Sequence, residues 1–186
     1  IQYSSSASRG VSLWHGSATV CPSRIFLGTL IGELIALDAL TGEPCSDFGV
    51  NGRVDLSKGA GSVELGEYSI TSPPAILGDL VIVGSAIGDN RATDLERGIV
   101  RAIDAQTGSI QWLWDPIPKS TNDKARATWN GDSNLSTGAA NAWAPLTADP
   151  SSGLIYVPTS SPSPDFFGGE RLGDNLYSNS IVALNG

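Results

Sequence analysis

The sequence predicts an all-β fold, a partial β-propeller of just under three four-stranded antiparallel blades. Three observations lead there. Turn formers are abundant, with 22 Gly and 11 Pro among 186 residues. Apolar runs are strand-sized and no heptads are present. A strand-and-turn segment recurs three times, and tandem four-stranded units stack as propeller blades.

The repeated core is an apolar strand, then Ala-x-Asp, then a Thr-Gly turn. The first copy carries Ala36, Asp38, Thr41 and Gly42, the second Ala102, Asp104, Thr107 and Gly108, and the third Ala183 and Asn185. The Asp bonds amides ahead of it, and Gly takes the left-handed position of the turn. Ahead of each core sits a strand pair. In the first repeat, residues 11–18 and 24–30 flank a turn with Cys21 and Pro22. In the second, residues 72–77 and 80–84 meet across Gly78-Asp79, a hairpin signal. In the third, residues 144–148 and 154–158 flank a Pro-Ser-Ser-Gly turn. Calling the strands A to D in order, the three blades cover residues 9–50, 69–116 and 141–186 of a single domain, and the last lacks strand D. Trp112 and Trp114 lie on the fourth strand of the second blade, where an inter-blade packing role suits them; the first repeat has Ser46 at that place. The repeat spacing exceeds a minimal blade of about 40–50 residues, which places insertions at 89–97, 119–140 and 162–179.

Composition narrows the function classes. Hydrophobic residues make up 40% and charged residues 16%, as expected of a chain that buries a core. Eleven basic and 19 acidic residues give a net charge of −8, which speaks against nucleic-acid backbone binding. No apolar run approaches the roughly 20 residues of a membrane helix. The chain has no Met and begins with Ile, so it reads as a piece of a longer protein. Cys21 and Cys45 are not a C-x-x-C pair, which argues against zinc or thioredoxin chemistry. A structural disulfide in an oxidising compartment is favoured, with two buried thiols as the alternative. His15, the single histidine, falls within a strand, away from the rim.

Antiparallel topology brings the start of each strand A and the end of each strand B to one rim. The A starts carry Arg9, Thr71 and Ser72, and Asn141 with Trp143. The B ends carry Ser85 through Asp89 and Asn90, and Thr159 through Ser161. A cation and hydroxyls suit carboxylates, Asp and Asn oxygens suit calcium or magnesium, and Trp offers a stacking face.

These residues carry a resemblance. Arg9-Gly10-Val11-Ser12, Cys21-Pro22-Ser23-Arg24, Thr71-Ser72-Pro73-Pro74, Gly88-Asp89-Asn90, Asn141-Ala142-Trp143-Ala144-Pro145 and Ser163-Pro164-Asp165 through Gly168-Gly169 together resemble the pyrroloquinoline quinone (PQQ) dependent dehydrogenases, most closely the membrane-bound glucose/quinate type. The resemblance spans essentially the whole chain. It implies an eight-bladed, tryptophan-docked quinoprotein ring holding PQQ and one divalent ion, calcium or magnesium, on its axis. It implies cofactor roles for Arg9, Thr71, Ser85, Asp89, Asn90 and Trp143, the last stacking under the ring. Metal ligation is implied for Asp89 and Asn90, and for Ser161, which stands where relatives often have Asn. The family's general-base Asp would lie past Gly186, so the isolated piece is expected to be inactive. The adjacent-cysteine disulfide of the alcohol-oxidising branch is unmatched, which favours sugar or polyol substrates. Oxidation with electron transfer to quinone, at the periplasmic face of the bacterial inner membrane, is the implied setting. Self-association through open blade edges is expected of the piece. The competing reading is a non-catalytic propeller scaffold for protein–protein interaction, which would have no need of the Asp89-Asn90 loop with Trp143.

Overall fold

The computed structural model describes residues 2–4 and 6–186. The first sheet contains β1 (Ser12–His15), β2 (Ser23–Gly28), β3 (Glu33–Asp38) and β4 (Arg53–Asp55), antiparallel and adjacent in chain order. Next come β5 (Tyr68–Ser69), β6 (Ala75–Leu77), β7 (Leu80–Val83), β8 (Ala86–Ile87), β9 (Val100–Asp104) and β10 (Ile110–Trp114). Of these, β6, β7, β9 and β10 form the second antiparallel sheet, while β5 and β8 pair as a short ribbon beside it. The third sheet holds β11 (Thr147–Asp149), β12 (Leu154–Pro158) and β13 (Ile181–Asn185).

The repeated turn has the same hydrogen bonds in both full copies. Asp38 Oδ1 accepts from the Leu40 and Thr41 amides and the Thr41 hydroxyl. Asp104 Oδ1 accepts from the Gln106 and Thr107 amides and the Thr107 hydroxyl. Gly108 closes the second turn at φ +77°, and a Cβ there would lie 2.6 Å from the Gly49 nitrogen. That close approach lets the Gly49 amide donate to Thr107 O at 2.9 Å, joining the first repeat to the second.

Alternation along the strands buries both faces of the second sheet. Val81 and Val83 of β7 join Phe26, Leu34 and Phe48 in one apolar layer. Ile82 points the other way, into a layer with Val100, Ala102, Ile155 and Val157, on which Trp112 and Trp114 pack. Three sheets stacked through two apolar layers make a partial β-propeller. Cys21 and Cys45 form a disulfide, Cα atoms 5.9 Å apart, tying the β1–β2 turn to the loop after β3. Arg24 is fully buried beside it and donates to the carbonyls of Val20, Cys21, Ala105 and Gln106 and to Asp47.

Several strands differ from the sequence-based bounds. The fourth strand of the first sheet lies at Arg53–Asp55, past residue 50, because the chain after β3 first folds inward to bury Phe48 and Cys45. Strand β6 starts at Ala75, not residue 72, since Pro73 and Pro74 have no N–H for the ladder. Likewise β11 starts at Thr147, beyond Pro145. The insertion at 119–140 contains a 3₁₀ helix, Lys124–Thr128, capped by the Asp123 side chain, and a one-turn α-helix, Ser133–Ser136, neither of which the all-β pattern signalled.

Candidate functional site

The β5–β8 ribbon builds the rim. Its pairing of Tyr68 with Ile87 and Ser69 with Ala86 carries Thr71, two residues past β5, alongside Gly88 and Asp89, just past β8. The first repeat reaches in through Arg9, whose backbone amide donates to Thr71 O at 2.9 Å and whose Nη1 lies 3.4 Å from the same oxygen. The third repeat reaches in through Asn141, whose amide donates to Ser85 O at 2.8 Å. Ser72 Oγ donates to Trp143 O at 2.5 Å and seats the tryptophan backbone. The result is a cavity of about 160 Å³ walled by Arg9, Thr71, Gly88, Asp89, Asn141 and Trp143.

Arg9, Thr71, Asp89 and Trp143 are thus brought together from three repeats. Ser85 lies behind this wall, 1% exposed, and its hydroxyl has no hydrogen-bond partner. The Thr71 hydroxyl is likewise buried and unpartnered. Asn90 stands beside the cavity, and its Oδ1 accepts from the Asp165 amide at 3.0 Å. Ser161 is outside the cavity wall and donates to Asn179 Oδ1 at 3.0 Å. The structure therefore does not gather Asp89, Asn90 and Ser161 into one wall. Two contributors went unassigned at the sequence level. Asn141 was visible at the start of its Asn-Ala-Trp motif. Asp165 was visible only as part of a loop motif, and its neighbourhood with Asp89 is a tertiary fact.

Electrostatics set the site apart from its surroundings. Burial pushes the Asp89 carboxyl above its ordinary value, and the Asp165 charge pushes it further, against the opposing pull of Arg91. Burial also raises Asp165, offset in part by Arg171. The Arg9 guanidinium lies 5.2 Å from the Trp143 ring centroid, a cation–π distance, while 46% of Trp143 remains exposed. Among the described residues no group of three or more His, Cys, Asp or Glu side chains is placed to hold a metal ion. Besides the Asp89 carboxylate, the cavity wall carries the side-chain oxygens of Thr71 and Asn141, of kinds that a hard cation accepts.

Comparison with known proteins matches residues 1–186 to the family described as "PQQ: Glucose/ethanol/alcohol dehydrogenase, beta-propeller domain". The chain belongs to this quinoprotein family. Among curated relatives it is 37% identical over 169 residues to the quinate/shikimate dehydrogenase (quinone) of Acinetobacter baylyi, covering 90% of this chain and 20% of that protein. It is 33% identical over 166 residues to the quinoprotein glucose dehydrogenase of Escherichia coli, covering 89% of this chain and 20% of that protein. Among solved structures, the quinohemoprotein alcohol dehydrogenase of Comamonas testosteroni superposes with a TM-score of 0.76 at 29% identity, over 96% of this chain and 25% of that one. This quinoprotein chain thus spans about a fifth of the length of the curated relatives it matches. Among the described residues, no helix is long and apolar enough to cross a membrane.

Proposed function

We propose that this chain supplies much of the PQQ and divalent-ion site of a dehydrogenase that oxidises a sugar or polyol alcohol and passes the electrons to quinone. The observation that carries the reading is the one cavity into which three repeats deliver a cation, a buried unpartnered hydroxyl, a carboxylate and an open aromatic face. That donor set fits PQQ, a planar quinone bearing carboxylates. Trp143 presents the plate for the ring. The Thr71 hydroxyl, with Ser85 behind it, has a proton free to donate to a carboxylate, and Arg9 adds a charge-assisted donor. Asp89 supplies a charged oxygen for the divalent ion, whereas Asn90 and Ser161 would have to leave Asp165 and Asn179 to join it. When bound, PQQ accepts two electrons, and calcium or magnesium polarises its carbonyl as a Lewis acid.

These residues bind and orient; none is assigned proton abstraction, and the chain by itself is expected to show no turnover. The Cys21–Cys45 disulfide supports an oxidising compartment, in keeping with the periplasmic face of the inner membrane. Exposed Tyr156 and Ile181 on the third sheet support self-association of the chain through its open sheet. A monodisperse monomer by light scattering would count against that part.

The test is a titration of the protein that carries this chain with PQQ and calcium. Saturable PQQ uptake that disappears in Trp143→Ala, together with dye-linked oxidation of sugars or polyols, is the expected result. Absence of PQQ uptake, or no activity on any alcohol or sugar, overturns the reading.

A further inference from the structure

Behind the cavity wall, one arginine ties the turn that carries Asp89 to Glu64 and Glu67 on one side and to Glu96 on the other. Asn90 takes the left-handed conformation, φ +58°, which turns the chain back on itself directly after Asp89. Arg91 consequently folds under the turn. Its Nε donates to Gly88 O at 3.2 Å, and the same nitrogen lies 3.3 Å from Glu67 Oε2. Nη1 lies 3.3 Å from Glu64 Oε2, and Nη2 donates to Glu96 Oε2 at 2.5 Å. The Glu96 side chain is 1% exposed, so this is not a solvated surface pair. Its other oxygen accepts from the Glu64 amide at 3.3 Å. The Gly88 amide donates to Glu67 O at 2.8 Å, and a Cβ at Gly88 would come within 1.7 Å of Glu67 Oε2. The turn that carries Asp89 is therefore gripped from both sides, by a backbone bond and by the arginine.

We propose that Arg91 is a positioning residue of the cofactor shelf: held in a socket of Glu64, Glu67 and Glu96, it fixes the Gly88 carbonyl and so sets where the Asp89 carboxylate stands. The inference rests on the functional reading above for what Asp89 binds. The local fixing of the turn is independent of it. A fork of several N–H donors is required, since the acceptors lie in different directions around one planar group. A lysine can replace the charge but not the fork.

Arg91→Gln by itself leaves Glu96 buried without its cation and lowers stability for that reason alone. The decisive variant is the pair Arg91→Gln with Glu96→Gln, which removes both charges and is expected to recover most of the lost Tm. Two readouts follow in the protein that carries this chain. Amide hydrogen exchange over residues 88–91 should remain faster than in the unsubstituted protein, although Tm has recovered. Calcium affinity in the presence of PQQ, by isothermal titration, should remain weakened by about tenfold or more, the usual effect of losing a group that orients a metal ligand. Arg91→Lys should fall between the two. If exchange over 88–91 and calcium affinity both return with Tm, Arg91 serves stability only and the inference is overturned. If the unsubstituted protein takes up neither PQQ nor calcium, the functional reading fails, while the exchange result still decides whether Arg91 fixes the turn.

Discussion

Arg9 sits with its guanidinium 5.2 Å from the centre of the Trp143 ring, although the two residues come from the first and third repeats. The contact joins the cationic and aromatic parts of one cavity wall. Its geometry also tells which property each contributes. Arg9 bonds the Thr71 carbonyl through its backbone amide, so its position survives a change of side chain.

Arg9→Gln should therefore keep the cavity and lose a charge-assisted donor, worth about 1.5–3 kcal/mol. PQQ affinity is expected to fall roughly ten- to hundredfold, measured by titration, with Tm nearly unchanged. Unaltered affinity would limit Arg9 to holding the Trp143 ring.

Asp165 should add to the effect of burial on the ionisation of Asp89. Because burial and the Asp165 charge both raise the Asp89 pKa above 3.8, the folded protein holds that proton more tightly than the unfolded chain. The associated stability is greatest below the unfolded value and is lost as pH rises through the folded one. Asp165→Asn removes one of the two causes, so Asp89 should titrate at lower pH and this loss should shrink. Carboxyl NMR titration reads the shift directly; an unmoved Asp89 pKa would refute the coupling.

Asp149 behaves in the opposite sense. Its carboxylate accepts from the Ser151 and Ser152 hydroxyls and the Ser151 amide, which lower its pKa from 3.8 to about 2. A lowered folded-state pKa contributes stability above the unfolded value and loses it as pH falls between the two. Asp149→Asn should lower Tm at neutral pH, and the difference should close by about pH 2 in thermal melts. A constant difference across that range would assign the effect to packing of the turn.

The Cys21–Cys45 bridge should act on stability without touching the rim. Replacing both cysteines by serine is expected to cost about 3 kcal/mol in denaturant unfolding. PQQ affinity, measured under conditions where the variant stays folded, should hold. A loss of affinity there would show that the loop after β3 reaches the cavity.

Much of this was legible in the chain itself. The Asp-x-x-Thr-Gly turns, the Gly78-Asp79 hairpin and the apolar strands are local signals, because each is set by bonds between residues a few positions apart. The rim residues were legible for a related reason. Antiparallel order places A starts and B ends together whatever the loops do, so Arg9, Thr71, Asp89 and Trp143 could be grouped in advance. The insertions could be placed, but their internal conformation was not legible. The 3₁₀ helix at Lys124–Thr128 is capped by the Asp123 side chain and has no apolar period to announce it.

The sequence by itself determined the stacked-sheet fold, the family and the meeting of Arg9, Thr71, Asp89 and Trp143 at one rim, since repeated local patterns and alternation decide which faces are buried and antiparallel order decides which strand ends meet. Only the tertiary structure decided how that rim is held. The approach of Asp165 to Asp89, the Arg91 socket and the diversion of Asn90 and Ser161 to other partners join residues far apart in the chain. Such pairings depend on where the loops are packed, and nothing local in the sequence encodes them.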